Sequence, residues 1–268
     1  MKKRFAVLTL ALALILTLTA CGGSGDSKTL KIGATPAPHA EILEQAKELM
    51  EKEGYTLEIV EFEDYVTPNA ALEEGELDAN YFQHVTYMNG FNDERGTHLV
   101  SAAAIHYEPL GLYAGTSASL AELPDGAKIA VPNDATNEAR ALLLLEQAGL
   151  LTLKEGVGIA ATKDDIVDNP HNYEIYEVEA RLTPTVLEDV AIAVVNGNYA
   201  IDAGLKVADA LAVEASDGAA ADAYANIITV TEGNEKNEAV LALIEVLKSD
   251  TIKAFIEETY EGAVVPLF

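Results

Sequence analysis

The chain has 268 residues, of which 49% are hydrophobic and 23% charged, a mixture typical of a globular protein with a buried core. Its 44 acidic and 17 basic residues give a formal net charge of −27, which disfavours nucleic acid and anionic lipid surfaces as partners. The single cysteine, Cys21, excludes an internal disulfide and a cysteine-cluster metal site.

The N-terminal residues have the composition of an export signal. Three basic residues at positions 2–4 precede an apolar run from Phe5 to Ala20, which is shorter than the roughly 20 residues that span a bilayer. Leu-Thr-Ala-Cys at 18–21 resembles the lipobox of bacterial lipoproteins. Residues 1–20 are therefore predicted to be a lipoprotein signal peptide, and residues 21–28 a lipidated Cys21 with a flexible Gly/Ser tether.

The alternative is a signal peptide that happens to contain a cysteine. If Cys21 is modified, two or more fatty-acyl chains such as palmitate on one residue make a stable membrane anchor, whereas one chain is marginal. We therefore expect a protein that is lipid-anchored to the cell membrane on its extracytoplasmic face.

Hydrophobic periodicity predicts alternating strands and helices along the rest of the chain. Apolar residues at 42, 43, 46, 49 and 50 have helical spacing, and Asp134 and Gly149 are good signals for the start and end of another helix. The predicted strands are 30–34, 55–62, 77–80, 98–104, 110–114, 128–131, 173–178, 190–195 and 227–231. The predicted helices are 39–52, 68–74, 85–95, 135–148, 199–205 and one or two within 238–260.

This alternation predicts an α/β fold with parallel strands and helices on both faces of the sheet. Such sheets bind ligands beyond the carboxyl ends of their strands, so polar residues that follow strands are the candidates for a site. Four predicted strand ends carry such residues, at 64–65, 80–84, 133–140 and 196–199.

Five ordered motifs, most of them at these strand ends, carry a family resemblance. They are Gly-Ala-Thr-Pro-Ala-Pro-His (33–39), Asp-Ala-Asn-Tyr-Phe-Gln-His (78–84), Val-Pro-Asn-Asp-Ala-Thr-Asn (131–137) with Arg140, Val-Asn-Gly-Asn-Tyr-Ala (195–200) and Tyr-Ala-Asn-Ile-Ile (224–228). From about Lys31 to the Gly-Ala-Val-Val-Pro sequence at 262–266, the chain resembles the methionine-binding lipoproteins of ABC importers, the MetQ/NlpA family.

The resemblance implies a type II periplasmic-binding-protein architecture. This is an α/β fold of two lobes with mixed, mostly parallel sheets and a ligand cleft between them. Lobe 1 is expected to comprise residues 29–110 plus 227–268 and lobe 2 residues 111–226, with crossings near 106–111 and 226–231. The implied function is capture of L-methionine outside the cell and its delivery to the permease of an ABC importer.

A free amino acid offers a carboxylate, which favours a bidentate guanidinium partner. Arg140 lies near the start of the helix that Asp134 opens, where the helix dipole favours anions, and Asn137 shares its face. On position alone, the usual interpretation is an exposed arginine paired with one of many carboxylates. The resemblance instead implies that Arg140 binds the ligand carboxylate. Arg181 is the nearest competitor, in a segment, Glu-Ala-Arg-Leu-Thr-Pro, that departs from the Glu-Ala-x-x-Leu-Pro-Arg common in the family.

The ammonium group of an amino acid needs fixed acceptors, which can be neutral. Asn196 and Asn226 lie at predicted strand ends, and the resemblance assigns both to the polar end of the ligand. The alternative is that they are turn-forming asparagines, which are common beside a residue such as Gly197.

Methionine also offers a polarizable thioether, which gains roughly 0.3–1.5 kcal/mol from each aromatic edge about 5 Å away. The resemblance implies that such a pocket is walled by Tyr65, Phe82, His84 and Tyr87. Without it, Phe82 and Tyr87 are ordinary core residues. Family members commonly have Lys-Pro after the histidine, whereas this chain has Val85-Thr86, which could shift Tyr87 and leaves D-methionine and methionine-containing dipeptides as alternative ligands.

No cofactor, metal or catalytic residue is predicted. The remaining histidines, at 39, 98, 106 and 171, fit no usual metal-ligand spacing and are expected to be scattered over the surface. Phosphate-binding loops and the GxSxG and HExxH motifs are missing from the sequence. Two rival classes remain: a protein that binds another solute, such as a metal ion, and an extracytoplasmic enzyme on the same two-lobed scaffold.

Overall fold

The computed structural model describes residues 28–215 and 222–268. The predicted signal peptide (1–20), Cys21 and all but the last residue of the predicted tether (21–28) lie outside the described residues. Within the described ranges, none of the helices has the length and apolar character needed to cross a membrane.

Strands and helices alternate along the chain, as predicted. The strands are β1 (Thr29–Ala34), β2 (Thr56–Glu61), β3 (Ala79–His84), β4 (Leu99–Tyr107), β5 (Gly111–Ala114), β6 (Lys128–Pro132), β7 (Glu174–Val178), β8 (Ile192–Val195), β9 (Ala212–Val213), β10 (Ala225–Thr231) and β11 (Val265–Pro266). The α-helices are α1 (Glu41–Lys52), α2 (Thr67–Glu73), α3 (Val85–Arg95), α4 (Ala135–Gln147), α5 (Gly197–Asp202), α6 (Glu238–Leu247) and α7 (Asp250–Tyr260). Thr152–Leu153 and Ile166–Asp168 form a separate two-stranded ladder.

The first sheet has six strands in the order β11-β4-β10-β3-β1-β2. β1 pairs in parallel with β2 and β3, whereas β10 runs antiparallel to both β3 and β4, and β11 antiparallel to β4. Apolar residues of β1, α1 and α6, among them Ile32, Leu43 and Leu243, are buried in one core cluster. This burial is the main reason that the helices dock on the sheet.

The second sheet has five strands in the order β9-β5-β8-β6-β7. β6 is parallel to β7 and β8, whereas β5 is antiparallel to β8 and β9. A second core cluster includes Ile129 of β6, Leu142 of α4 and Val194 of β8. The expected parallel pairing thus holds for β1 with β2 and β3, and for β6 with β7 and β8. Antiparallel pairs are nevertheless more frequent than predicted, because β10, β11, β5 and β9 run antiparallel to their neighbours.

The chain passes between the sheets twice. It leaves the first sheet at Tyr107, the end of β4, and enters the second at Gly111, the start of β5. It returns through β10, where Asn226 pairs with His106 of β4 and His84 of β3. All five strands of the second sheet therefore come from the stretch between β4 and β10. The lobe boundaries at 110–111 and 226–227 remain a prediction.

Helix starts agree with the sequence where a side chain caps them. Asp134 accepts a hydrogen bond from the backbone N–H of Asn137 at the start of α4, and the predicted helix 85–95 has the observed bounds of α3. Ser249 caps α7 and so divides the predicted 238–260 segment into two helices. The two-residue strands β9 and β11 were not predicted, because a partner strand defines them more than their own sequence does.

Candidate ligand-binding site

A narrow cavity lies between the two sheets, in which the centre of a water-sized sphere has about 20 Å³ of room, enough for about one water molecule. All eight side chains that the sequence analysis proposed for a ligand line it: Tyr65, Phe82, His84, Tyr87, Asn137, Arg140, Asn196 and Asn226. Four further residues line it that were not proposed: Gln83, Glu108, Gly197 and Asn198. The structure thus brings together residues from both sheets and from both crossings.

Arg140 lies on the second turn of α4 and is only 3% exposed, so it is not the exposed arginine that position alone favours. Its Nε donates to Glu214 Oε1 at 2.7 Å, and its Nη2 donates to the backbone oxygen of Glu108 at 2.7 Å. The guanidinium also lies over the ring of Tyr224, with its Cζ 4.3 Å from the ring centroid. Burial alone would lower the pKa of Arg140, but the Glu214 carboxylate outweighs it and raises that pKa.

Glu214 therefore fixes one edge of the guanidinium plane. Both oxygens of its carboxylate contact Nε or Nη2, and Tyr107 also donates to it from its hydroxyl. The bonds to Glu214 and to the backbone of Glu108 use Nε and Nη2. Nη1 takes part in none of these bonds.

Asn137 connects the two sides of the cavity. Its Nδ2 donates to the Asp134 carboxylate at 2.9 Å, and its Oδ1 accepts from Asn196 Nδ2 at 2.9 Å and contacts His84 Nε2 at 3.2 Å. These bonds use a donor and the acceptor oxygen of the amide. Asn137 lines the cavity as predicted, but its side chain is already engaged in positioning its neighbours.

His84 is buried and its tautomer is set by its partners. Its Nδ1 accepts a hydrogen bond from the backbone N–H of Tyr87, so the ring proton belongs on Nε2, which then donates to Asn137 Oδ1. Burial and, secondly, the charge of Arg140 lower the pKa of His84 to about 3. The ring is therefore neutral at physiological pH. It lines the cavity and also caps the N-terminus of α3.

Three aromatic rings form one wall of the cavity. The ring centroid of Tyr65 is 5.8 Å from that of Phe82 and 5.6 Å from that of Tyr87. The Tyr87 hydroxyl donates to the backbone oxygen of Tyr65 at 3.2 Å. The Val85-Thr86 sequence, which departs from Lys-Pro, does not displace Tyr87 from this wall, because α3 begins directly after His84.

Asn196 and Asn226 place amide groups at the same cavity. Asn196 is 5% exposed, and its Oδ1 is a buried acceptor that has no partner among the described residues. The Oδ1 of Asn226 is 3.1 Å from His39 Nε2. A buried acceptor that lacks a donor costs about 1–3 kcal/mol. A hydrogen-bond donor that entered the cavity and reached Asn196 Oδ1 would remove this cost.

Glu108 is the acidic residue that the sequence analysis missed. It lies between β4 and β5, 5% exposed, within the segment that was predicted to cross between the lobes. Burial raises the pKa of its carboxyl group, although His39, Arg140 and the backbone N–H of Asn198 act in the opposite direction. Its place in the 106–111 crossing is the signal that could have identified it.

Comparison with known proteins identifies the family. The model of the NlpA lipoprotein family matches residues 30–268. The chain belongs to this family. The methionine-binding lipoprotein MetQ of Bacillus subtilis is 41% identical over 276 residues, which cover 100% of this chain and 99% of the relative.

Solved structures agree with this assignment. A lipoprotein from Ruminococcus gnavus is 59% identical with a TM-score of 0.89, and the match covers 90% of this chain and 100% of that one. A nutrient-binding protein from Burkholderia cenocepacia, whose structure was solved with methionine bound, is 41% identical with a TM-score of 0.85 and coverage of 89% and 100%. This NlpA-family chain thus has the two-lobed α/β binding-protein fold that its sequence implied.

Two histidines of this NlpA lipoprotein contradict the prediction of scattered surface positions. His39 and His106 are 1% and 0% exposed, and their Nε2 atoms lie 3.3 Å and 2.7 Å from Glu108 Oε1. Burial lowers the pKa of His39 to about 4 and that of His106 to about 3. Periodicity could not reveal this, because the partner Glu108 makes the burial of both rings possible.

The other two histidines are exposed, as predicted. His98 pairs with Glu73 and His171 with Asp125, each at the surface. These pairs lie away from the cavity.

The ligand atoms of His39, His106 and Glu108 lie within 4.8 Å of one another, so these residues are the metal-capable group of the described chain. The distance of 2.7 Å between His106 Nε2 and Glu108 Oε1 is that of a hydrogen bond. A zinc ion bonded at about 2.0–2.2 Å to both atoms in tetrahedral geometry needs a wider separation of its ligands. The geometry is therefore that of a hydrogen-bonded network. The predicted lack of a metal remains a prediction.

Gln83 reaches the cavity from a buried amide network of the NlpA fold. It accepts from Asn69 Nδ2 at 2.9 Å and donates to Thr229 Oγ1 at 3.2 Å. Asn80 Nδ2 joins the network through Asn69 Oδ1 at 2.8 Å. Because these partners satisfy the amide groups of Asn80 and Gln83 inside the sheet, β3 can continue to His84, whereas the sequence predicted its end at 80.

Arg181, the competitor for the carboxylate, does not line this cavity. Its Nε pairs with Glu179 Oε1 at 2.6 Å, and 42% of its side chain is exposed. Of the two candidate arginines, Arg140 is the one that the structure places at the cavity.

Proposed function

We propose that this chain is a lipid-anchored, extracytoplasmic solute-binding protein that captures L-methionine and delivers it to an ABC importer. The observation that carries the proposal is the cavity itself, in which a buried guanidinium, Arg140, and the aromatic wall of Tyr65, Phe82 and Tyr87 line one enclosed space. The methionine-bound relative from Burkholderia cenocepacia and the methionine-binding lipoprotein of Bacillus subtilis support the same ligand.

The three chemical parts of methionine have matching groups in the proposed site. Nη1 of Arg140 binds the carboxylate, and the amides of Asn196 and Asn226 accept from the ammonium group. The rings of Tyr65, Phe82 and Tyr87 contact the thioether, a favourable pairing of sulfur and aromatic edges. His84 and Asn137 complete the proposed set, chiefly by holding α3 and α4 in place.

The proposed mechanism is a hinged approach of two lobes, 29–110 plus 227–268 and 111–226. Contacts across the cavity favour the approached state: the Tyr65 hydroxyl donates to Asn198 Oδ1 at 2.6 Å, and the Tyr199 hydroxyl donates to the backbone oxygen of Glu63 at 3.0 Å. A ligand that touches both lobes shifts the population toward this state, and this form docks on the permease.

The proposed location follows from residues 1–20 and Cys21. The signal peptide directs export, and a diacylated Cys21 holds the protein at the outer side of the cell membrane. The matched relatives are lipoproteins, which supports this arrangement. We also propose that the chain is not an enzyme, because the cavity groups with a lowered pKa, such as His84, are engaged in structural hydrogen bonds.

Native mass spectrometry of the mature protein, purified from membranes in detergent, tests the proposal. We expect a mass increase of one methionine, carried through purification or acquired on incubation with L-methionine. D-Methionine and Gly-Met are the matched competitors and should displace the ligand only at higher concentration. Retention of an unrelated solute, together with no displacement by methionine, would reject the proposal.

A further inference from the structure

Tyr224 is a buried ring that contacts two cavity residues without lining the cavity itself. It directly precedes β10, which returns the chain to the first sheet, and it is 4% exposed. The Cζ of Arg140 lies 4.3 Å from its ring centroid, and the ring of His84 meets it nearly at right angles, 5.2 Å between centroids. Tyr224 is not among the residues that line the cavity, so its effect on a ligand must pass through these two neighbours.

The hydroxyl of Tyr224 does not explain why a tyrosine stands at this position. It is buried and has no hydrogen-bond partner among the described residues, which is unfavourable for a polar group. The hydroxyl of Tyr107, by comparison, donates to the Glu214 carboxylate. The ring of Tyr224 is therefore the part of the side chain that the structure uses.

The contacts of Arg140 restrain its guanidinium in two different ways. The bonds to Glu214 and to the backbone oxygen of Glu108 run from the N–H groups of the planar fork, so they restrain movement within its plane. A ring against the face of the plane restrains its tilt. The ring quadrupole also attracts the cation, more strongly when both groups are buried, as Arg140 and Tyr224 are.

Both passages of the chain between the sheets bring an aromatic ring to this guanidinium. Tyr107 ends β4, and its ring centroid is 5.7 Å from the Cζ of Arg140. Its backbone pairs with Ala225, the residue after Tyr224. Tyr224 is the nearer of the two rings, and its hydroxyl, unlike that of Tyr107, makes no competing contact with Glu214 among the described residues.

We propose that Tyr224 is a positioning residue for the carboxylate end of the ligand, because its ring face holds the Arg140 guanidinium at the angle at which it meets a carboxylate in the cavity. The inference rests on the proposed function and adds a residue outside the cavity that sets the strength of binding. The ring face carries the effect, and the hydroxyl does not. Ligands that keep the amine and the thioether but lack a carboxylate do not depend on Tyr224.

Stepwise fluorination of the ring tests the role of its face while the shape of the side chain is nearly kept. Phenylalanine and its 4-fluoro, 3,5-difluoro and 3,4,5-trifluoro derivatives are incorporated at position 224, since fluorine withdraws electron density from the ring face and weakens its attraction for a cation. In calorimetric titrations of the mature protein, we expect Tyr224→Phe to bind L-methionine within about 2-fold of wild type. The affinity should then fall with each added fluorine, by about 10-fold or more for the trifluoro ring.

L-Methioninol, in which CH₂OH replaces the carboxylate, separates positioning from general support. Its affinity should change by less than about 2-fold over the same series, because it makes no carboxylate contact with Arg140. A merely structural role of the ring would weaken both ligands in parallel, and that result would overturn the proposal. A methionine affinity that stays constant across the series would overturn it as well.

Phe91 is the matched control position. It is 5% exposed, it is not among the residues that line the cavity, and the Cζ of Arg95 lies 5.1 Å from its ring centroid. It therefore also forms a ring–guanidinium contact, but one that does not involve Arg140. The same fluorinated residues at position 91 should leave the affinities for methionine and methioninol unchanged.

Proton–nitrogen NMR of the ligand-free protein examines the position of Arg140 directly. The described residues contain three arginines, Arg95, Arg140 and Arg181, so the Nε–H signals are few, and Arg140→Lys identifies the one that belongs to Arg140. In Tyr224→Leu we expect this signal to shift, because the ring current is lost, and its hydrogen exchange with water to quicken by about 5-fold or more, because the plane is freer to tilt. An unchanged signal and exchange rate would overturn the proposal.

The two proposals fail in different ways. If methionine binds and the fluorine series is flat, the positioning role of Tyr224 is wrong and the methionine function stands. If methionine does not bind but the Arg140 signal changes as expected, the proposed ligand is wrong and the control of Arg140 by Tyr224 is supported. If methionine does not bind and the signal does not change, both proposals are rejected.

Discussion

Arg140 and Glu214 form a buried pair in which each residue depends on the other. The guanidinium is 3% exposed and receives the Glu214 carboxylate on its Nε–Nη2 edge. Replacing one member of such a pair leaves an uncompensated charge, which costs more than the pair itself contributes. At the scale of single residues, ligand recognition and local stability are therefore linked at this position.

We expect Arg140→Ala to weaken methionine binding by about 2–4 kcal/mol, the scale for truncation of one member of a buried charged pair. Calorimetry measures the affinity, and urea unfolding of the same sample separates any loss of stability. Arg181→Ala is the control, because Arg181 is exposed and pairs with Glu179. Near-wild-type affinity of a folded Arg140→Ala protein would contradict the assignment of the carboxylate to this residue.

His84 gives a prediction for pH. Its folded-state pKa of about 3 lies below the ordinary value near 6.5, so the unfolded chain binds the proton more readily. This contribution to stability is complete above pH 6.5 and is lost progressively as the pH falls toward 3, by about 1.4 kcal/mol per unit. His39 and His106, whose pKa values are also lowered, act in the same direction. The pKa of Glu108 is raised, so its contribution to stability has the opposite pH dependence and is lost as the pH rises above the ordinary pKa of a carboxyl group.

Nitrogen NMR of the imidazole rings measures this directly. Between pH 8 and 5, His84 should keep its proton on Nε2 and show no titration. The exposed His98, whose pKa is raised by Glu73, should gain a proton as the pH falls and serves as the internal reference. A His84 midpoint near 6.5 would contradict its burial and its cap on α3.

At the scale of elements, the aromatic wall joins the loop before α2 to β3 and α3. Phe82 offers the cleanest test of this wall, because Tyr65 also makes a hydrogen bond across the cavity. We expect Phe82→Ala to reduce the preference for methionine over alanine by up to about 10-fold, since each sulfur–aromatic contact contributes roughly 0.3–1.5 kcal/mol. Titrations with both amino acids measure it, and equal losses for the two ligands would refute the role of the wall in side-chain selection.

The elements differ in how far sequence predicts them. α4 was predicted well because its signals are local: Asp134 as the capping residue and Gly149 as the terminating glycine. The bounds of α3 were also predicted correctly. β3 was predicted to end at 80, whereas it continues through Gln83 to His84. Asn69 and Thr229, the partners of Asn80 and Gln83, come from other parts of the chain, and only the folded structure shows that these amides are satisfied inside the sheet.

The same distinction applies to the site. Six of the eight proposed residues belong to the five motifs that carry the family resemblance, whereas Tyr65 and Tyr87 lie outside these motifs. Glu214 is 74 positions from Arg140, and His39 is 69 positions from Glu108, so sequence periodicity carries no signal for either pair. The partners of the charged groups at the cavity could therefore be identified only from the three-dimensional structure.

At the scale of the whole molecule, two tyrosines link the parts that face each other across the cavity. Tyr65→Phe removes the hydrogen bond to Asn198 Oδ1 and keeps the ring in the wall. We expect a fall in methionine affinity of about 0.5–1.5 kcal/mol, the net contribution of one hydrogen bond, and a larger mean radius in small-angle scattering without ligand. Tyr176→Phe, in a half-exposed position on β7, is the control. If Tyr65→Phe leaves both the radius and the affinity unchanged, the bond between Tyr65 and Asn198 does not contribute to lobe closure.

β1 and β11, the first and last strands described, belong to the same sheet. A lipid on Cys21 would consequently be attached on the side of the first sheet, and the second sheet, beside which Arg140 lies, would follow it through the passages at 107–111 and at β10 and through the hydrogen bonds across the cavity. A fluorophore on the second sheet would report its motion relative to the bilayer, whereas an identical label near β2 would stay comparatively still.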